Sequence, residues 1–529
     1  MKLNSYLLKL LGIVLFMTSS LALSKESLNL NVTHDLWISG GTVIDGSGKN
    51  GQKNDLLIKD GMIVYVGKIL SSQKIKYKEK IDAANKVIAP GFIDAHAHFE
   101  SDLDKNAAEN HDDLGFKNFL AMGVTTVVSG QDGETSSGKE HLSVWVKKVE
   151  ERKPALNIAL FAGHGSIRDK AGVGLNPVPT ADQLKTMETT LQQNFNDGVF
   201  GMSLGLEYEP AKFSEKAELE ALAKVVGKNK GVITAHIRNE DDDVLEKSIK
   251  ELTDLGVYAN VQVSHLKSVY GKGTKRAKDI LSYIQKVRSK TKHSVTVDAY
   301  PYSASATTID ILFPDWVTSE NFEDMKKTRK TEMLTYIKNK VMKRNGPEAT
   351  LFSSVKNFPE FKGKTLKDLA DHLKIPFEEV IIDRIGFSGA EAVYFVMDQD
   401  LQDILIADKH VMICSDGSPT SSHPRSFGTF AKIIRYYVNE KKLLSLPEAI
   451  RKMTSFPATT YKITKRGFIK KDFFADLAIF DPAKVKDEAT FFAPQTLASG
   501  FDYVIVNGDI AFHDGTFLSR HGKILKRTF

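Results

Sequence analysis

The chain has 529 residues, 72 Lys+Arg against 66 Asp+Glu, 42% hydrophobic and 26% charged residues, and one cysteine. That balance belongs to a globular protein and excludes collagenous, disordered and disulfide-stapled classes. A formal net charge of +6 over so long a chain is too dilute for a nucleic-acid partner, and Lys and Arg gather only in short runs such as Lys470-Lys471.

The chain opens with Lys2 and Lys9, an apolar stretch over 10–17, then small residues through Ala22. This pattern predicts a signal peptide over 1–24, cut between residues 22 and 24, and a secreted or periplasmic protein. The apolar run falls short of the about 20 residues that cross a bilayer, so no membrane association is expected after cleavage. Cys414 stands alone, which leaves no intramolecular disulfide to support the fold.

Runs 35–45 and 55–67 are β-rich and broken by Gly and Asp turns, and 475–481, 504–508 and 510–512 share that texture. They predict a small β-sandwich domain built from both termini, 25–89 and 465–529. Between them, short apolar runs at 124–128, 158–161, 199–203, 232–235, 259–264, 295–298 and 411–415 alternate with amphipathic stretches. Buried strands with helical crossovers make a parallel sheet, so the fold class is α/β. Seven or eight units without a Gly-rich nucleotide loop after the first strand point to a (β/α)8 TIM-like barrel over 90–464 rather than an open doubly wound sheet. A charged, mostly helical stretch at about 314–374 reads as an insertion, either a lid or a surface elaboration.

Polar residues at the strand ends carry the chemistry. His96 and His98 close the first apolar strand at i and i+2, so both side chains point to one side and reach one metal. His236 and His265 each end an apolar strand, and Asp416 follows 411–415 in the same way. In a parallel barrel all strand C-termini open on one face, so these five residues converge there. Imidazole and carboxylate donors without thiolate suit zinc, with other divalent transition metals as alternatives.

The order HxH, His, His, Asp resembles the amidohydrolase superfamily. The segments Ala89-Pro90-Gly91-Phe92-Ile93-Asp94-Ala95-His96-Ala97-His98, Gly201-Met202-Ser203-Leu204-Gly205-Leu206-Glu207-Tyr208-Glu209-Pro210, Ala235-His236-Ile237-Arg238-Asn239-Glu240 and Asp298-Ala299-Tyr300-Pro301-Tyr302 narrow the likeness to the D-aminoacylase (N-acyl-D-amino-acid deacylase) branch. Ser415-Asp416-Gly417 with His423-Pro424-Arg425 and Gly428-Thr429-Phe430 is its most specific signal. The likeness runs over roughly residues 35 to 525. It implies His96, His98, His236, His265 and Asp416 as metal ligands to one or two zinc ions. Where the branch usually has a ligand cysteine, after Gly123-Val124-Thr125-Thr126-Val127-Val128, this chain has Asp132. A carboxylate ligates and bridges zinc, although Asp132-Gly133 is equally a turn signal, and Glu207 is a weaker candidate for the same role.

The resemblance further implies Asp416 as general base, Tyr208 as a donor to the developing oxyanion, and Lys267, Tyr300 and Arg425 as holders of a substrate carboxylate, with Tyr302 a rival to Tyr300. For Arg425 the chemistry agrees, because a guanidinium fork matches a carboxylate. The implied activity is zinc-dependent hydrolysis of the linear amide of small N-acyl-D-amino acids, giving a D-amino acid and a carboxylate. The alternatives are a peptidase for D-residue peptides, a cyclic-amide hydrolase of the dihydroorotase or hydantoinase kind, and a metal-binding barrel without turnover. The cyclic-amide reading calls for a carboxylated lysine between two metals, and no lysine stands at a strand end for it.

Overall fold

A computed structural model of the chain describes residues 28, 30–98, 116–137 and 140–527; the expected signal peptide, 1–24, lies outside them. Eight parallel strands among the described residues form the barrel: Phe92–Asp94, Val124–Ser129, Asn157–Gly163, Gly201–Gly205, Val232–His236, Asn260–Val263, Val295–Ala299 and Val411–Ile413, each paired with the next. The first and last meet just beyond their ends, where His98 N donates to Gly417 O at 2.8 Å and Asp416 N donates to His96 O at 2.9 Å. These bonds join the sheet to itself and bring the HxH segment and Asp416 side by side.

The strands form because their apolar, β-branched runs are buried on both faces, as a barrel wrapped in helices requires. Ile93, Val128, Phe161, Val232, Met412 and Cys414 pack inside, with Tyr461 from a following helix. The outer helices are amphipathic: along Leu245–Asp254, Leu245, Ile249 and Leu252 are buried at helical spacing while Lys247, Lys250 and Asp254 are exposed. Ala181–Asp197 starts at a Thr180–Gln183 capping box and stops at Gly198 with φ 108°, the left-handed conformation that glycine adopts without steric cost.

Both termini contribute to one mixed sheet. Thr33–Val43 pairs with Lys76–Asp82 along one half and with Val87–Pro90 along the other, so the sheet folds over a core of Leu36, Ile38, Leu56, Ile63, Ile88 and Ile505. Leu477–Phe480 joins the N-terminal strands to Phe501–Val506 and Asp509–His513. The last segment departs from the expected 465–529 grouping: Ile524–Leu525 pairs with the third barrel strand. Lys523 O accepts from Ile158 N at 2.9 Å, which ties the chain's end to the barrel instead of the terminal sheet.

The inserted layer is larger than the charged stretch 314–374. It runs from strand Ser305–Thr308 to strand Ala390–Tyr394, which pair with each other, and Thr350–Val355 pairs with the other edge of Ala390–Tyr394. It has its own core, including Leu312, Ile337, Phe352, Leu369 and Tyr394. Its flanking strands are short and ordinary in composition, so charge alone marks only its helical middle.

Candidate active site

The C-terminal barrel face collects the donors from five strand ends. His96 and His98 lie beyond Phe92–Asp94, Asp132 beyond Val124–Ser129, and His236 ends Val232–His236. His265 and Asp416 follow Asn260–Val263 and Val411–Ile413. Asp132, His265 and Asp416 each adopt a left-handed backbone, with φ of 53°, 35° and 49°. For a residue with a Cβ this conformation is uncommon and costs free energy, so the surroundings must hold it. They do: Asp298 accepts from His265 N, and Asp94 accepts from Ser415 N at 2.8 Å and from His96 N at 3.3 Å. The Asp132 turn and the placement of its carboxylate at the barrel mouth are therefore one feature, and Gly133 continues the turn at φ 84°. The turn presses on the next layer so closely that a Cβ on Gly205 would lie 1.9 Å from Asp132 O.

Asp132 is the hub. Its Oδ1 lies 3.4 Å from His96 Nε2, and its Oδ2 lies 3.6 Å from His98 Nε2, 3.7 Å from His236 Nδ1 and 3.5 Å from His265 Nε2. Asp416 Oδ1 approaches His98 Nε2 at 3.3 Å and His96 Nε2 at 3.7 Å. Imidazole nitrogens face one another at 3.1 Å in two pairs, His96 with His98 and His236 with His265. Asp132 Oδ1 is buried without a hydrogen bond. Crowding lone pairs in this way is costly unless a cation sits among them. One donor atom from each of His96, Asp132, His265 and Asp416 falls within 4.8 Å of the others, an all-nitrogen-and-oxygen set that suits zinc.

Electrostatics follow from burial opposed by neighbours. Burial pushes the Asp132 carboxyl up, but His96 and His265 outweigh it and hold it well below the usual range. Asp416 is likewise held low, against burial, by Arg425 and the histidines. Burial, with the Asp132 and Glu207 charges, pushes the Tyr208 phenol well up, so it stays a hydrogen-bond donor. Its ring lies 4.6 Å from that of His236, and Thr307 Oγ1 donates to its oxygen at 3.4 Å. Glu207 is not at the hub: its Oε2 lies 2.8 Å from His236 Nε2, on the ring edge away from Asp132.

Arg425, Lys267 and Tyr300 meet on one side of the hub. Arg425 and Lys267 lie 4.9 Å and 5.6 Å from the Tyr300 ring centroid. Arg425 Nη1 pairs with Asp416 Oδ2 at 2.8 Å, its Nε is buried without a hydrogen bond, and Arg425 and Lys267 line the pocket into which the donors open. Tyr302 turns elsewhere, donating to Pro424 O at 3.4 Å with Lys432 4.1 Å from its ring centroid.

Two further residues support the site. Glu240 is buried with Oε1 2.6 Å from Lys267 Nζ and 3.2 Å from His265 Nδ1. Its signal in the sequence is its position four residues after His236, in Ala235-His236-Ile237-Arg238-Asn239-Glu240. His423 accepts from Arg425 N at Nδ1, 3.0 Å, while its Nε2 lies 3.1 Å from Ala304 O. Burial and the Arg425 charge keep this imidazole neutral, so one tautomer satisfies both contacts.

Comparison with known proteins agrees with this geometry. Two family profiles, both described as amidohydrolase family, match residues 87–261 and 369–512. N-acyl-D-glutamate deacylase of Alcaligenes xylosoxydans xylosoxydans is 28% identical over 522 residues, covering 93% of this chain and 96% of the relative. D-aminoacylase of the same organism is 28% identical over 521 residues, covering 93% and 98%. The solved structure of N-acyl-D-glutamate deacylase from Bordetella bronchiseptica, complexed with zinc and a phosphonate that mimics the tetrahedral intermediate, superposes with a TM-score of 0.78 at 29% identity over 94% of this chain and all of that one. With a His/Asp donor cluster at the mouth of a parallel barrel and these likenesses along nearly its whole length, the chain belongs to the D-aminoacylase branch of the amidohydrolase superfamily and is a metal-dependent hydrolase of carbon–nitrogen bonds.

Proposed function

We propose that the chain hydrolyses the linear amide of N-acyl-D-amino acids, with one or two zinc ions held by His96, His98, Asp132, His236, His265 and Asp416. The observation that carries the reading is the junction at Asp416, whose Oδ1 faces the imidazoles while its Oδ2 faces Arg425 at 2.8 Å. It sets an amide-cleaving centre directly beside a place for a carboxylate. When bound, zinc supplies Lewis acidity, which polarises an amide carbonyl and brings the ionisation of water to about pH 7.

The chain's own groups do the rest. Asp416, held ionised, takes a proton from the attacking water and returns it to the leaving nitrogen. Tyr208, protonated and beside His236, donates to the oxygen where negative charge develops. Arg425 and Lys267, which line the pocket, hold the substrate carboxylate with Tyr300 packed beneath them. The D-configuration rests on the relatives, whose names specify D-amino-acid substrates. The cyclic-amide alternative loses ground because Lys267 Nζ lies 2.8 Å from His265 Nδ1, on the ring edge opposite the Nε2 that faces Asp132. The basic and apolar start of the chain supports export, and N-terminal sequencing of secreted protein should find residues before 23 removed; retention of Lys2 would overturn that part.

The test is release of amino acid from paired N-acetyl-D- and N-acetyl-L-amino acids, with zinc-loaded and chelated enzyme. Metal-dependent release from the D series alone is expected. Release from neither series, and from no longer-chain N-acyl-D-amino acid either, by metal-loaded protein would overturn the proposal.

A further inference from the structure

The donor cluster opens into a pocket of about 470 Å³, and beyond it lies a chamber of about 970 Å³. The two share a wall formed by Glu134, Glu207, Tyr208, Glu209, Thr308 and Ile311. None of Arg425, Lys267 and Tyr300 lines the chamber. A substrate whose carboxylate sits with those three can direct only its other end toward the chamber. Tyr208, on the shared wall, would face the scissile carbonyl, so the end beyond it is the acyl group.

The lining describes that group. Leu206, Phe213, Leu219, Ile311, Phe313 and Phe387 give the chamber apolar walls from the barrel and from the inserted layer. On the barrel side Lys212 pairs with Glu209 at 3.0 Å, Arg238 with Glu251 at 2.8 Å and Lys250 with Asp254 at 2.7 Å, while Lys247 is exposed to solvent. Lys340, from inserted helix Lys330–Lys343, is the contrast. It is half-buried, lies 5.7 Å from the Tyr336 ring centroid, and makes no side-chain hydrogen bond or ion pair among the described residues. Burial and then the Arg344 charge lower its pKa, outweighing the Glu207, Asp241 and Asp315 carboxylates, so the ammonium is only partly solvated and has no close counter-ion among the described residues.

Resting on the deacylase reading, we infer that the chamber is an acyl-binding subsite, and that it takes a long acyl group with an apolar stem and a negatively charged far end that pairs with Lys340. An acetyl group leaves most of this volume empty.

One D-amino acid carrying N-acetyl, N-octanoyl or N-suberyl (the eight-carbon acyl with a terminal carboxylate) tests it. We expect kcat/KM for octanoyl to exceed that for acetyl by at least about tenfold, since a buried methylene is worth roughly fourfold. Suberyl should exceed octanoyl by about threefold or more. Val244→Trp, which narrows the chamber, should lower the octanoyl-to-acetyl ratio, and Lys340→Met should invert the suberyl-to-octanoyl ratio. Acetyl cleaved as well as octanoyl would overturn the subsite and leave the deacylase reading standing. Suberyl no better than octanoyl would overturn the anionic end. Release from the long acyl groups alone supports the inference, and release from none of the three overturns it together with the reading beneath it.

Discussion

Arg425 Nη1 stands 2.8 Å from Asp416 Oδ2, and both side chains are buried at the barrel mouth. A carboxylate in that position has to serve imidazole-rich surroundings on one oxygen and a guanidinium on the other. The pair links the group proposed to move the proton to the group proposed to hold the substrate, so occupancy of one affects the other.

Replacing Arg425 by Met should lower kcat/KM by roughly 10–100-fold, the worth of one or two hydrogen bonds to a charged group. An N-acylamine without a carboxylate separates the two roles of the arginine. Wild type should strongly prefer the carboxylated substrate, and the variant should lose most of that preference. A preference that survives intact would remove Arg425 from carboxylate binding.

Asp132→Ala takes away the carboxylate on which four imidazoles converge. Metal affinity should fall by more than the roughly 10–100-fold that loss of a supporting residue costs. Metal content after dialysis and competition with a chromogenic chelator would show it. Asp132→Cys should restore binding, because a thiolate ligates zinc as well; unchanged metal content and rate in Asp132→Ala would exclude the residue as a ligand.

Glu240→Gln tests a positioning role. Glu240 accepts from Lys267 Nζ at 2.6 Å and lies 3.2 Å from His265 Nδ1, so it orients the lysine proposed to hold substrate and a histidine of the donor cluster together. A neutral amide should raise KM and weaken metal binding by about 10–100-fold, as loss of a supporting carboxylate does. If kcat, KM and metal content all stay at wild-type values, Glu240 orients neither.

Stability should be sensitive where the terminal sheet meets the barrel. Asp476 accepts from Arg466 Nη1, from Asn507 N at 2.8 Å and from Asn157 Nδ2 at 3.2 Å, all buried. Asp476→Ala strands the Arg466 charge and should cost about 3–5 kcal/mol, read from the urea midpoint. A loss below about 1 kcal/mol, the worth of an ordinary surface pair, would show that the network does not hold the two parts together.

Lys452 supplies a pH dependence away from the site. Burial lowers its pKa from 10.5 to about 7, while its ammonium donates to Ile406 O at 2.7 Å. The unfolded chain keeps the proton up to the higher value, so between about pH 7 and 10.5 it binds more protons than the folded chain. Stability from this group therefore rises with pH through that window, and the cost of the buried charge is full below it. Against Lys452→Met, wild type should gain on the order of 1 kcal/mol per pH unit there. Parallel stability curves for the two proteins would refute it.

Strand ends were legible because a buried strand leaves a simple mark, an apolar run stopped by a polar residue. His236, His265 and Asp416 all follow such runs, and the parallel fold carries them to one face. Tyr300 and Tyr302 were not separable, since both sit in one Tyr-Pro-Tyr loop. Only packing turns the first beneath Arg425 and Lys267 and the second toward Lys432. Glu240 gave no local sign of its partners, because Lys267 is 27 residues away and reaches it through the next strand end.

By itself, then, the sequence determined the alternation of buried strand and amphipathic helix, the split terminal sheet and the types of donor available, because periodicity and residue chemistry are local properties. Tertiary structure alone decided that Asp132 would be the hub, that Arg425 would pair with Asp416, that the last strand would join the barrel and that a second chamber would open behind Tyr208. Each of those depends on distances between residues far apart in the chain, which closure of the barrel and packing of the inserted layer set.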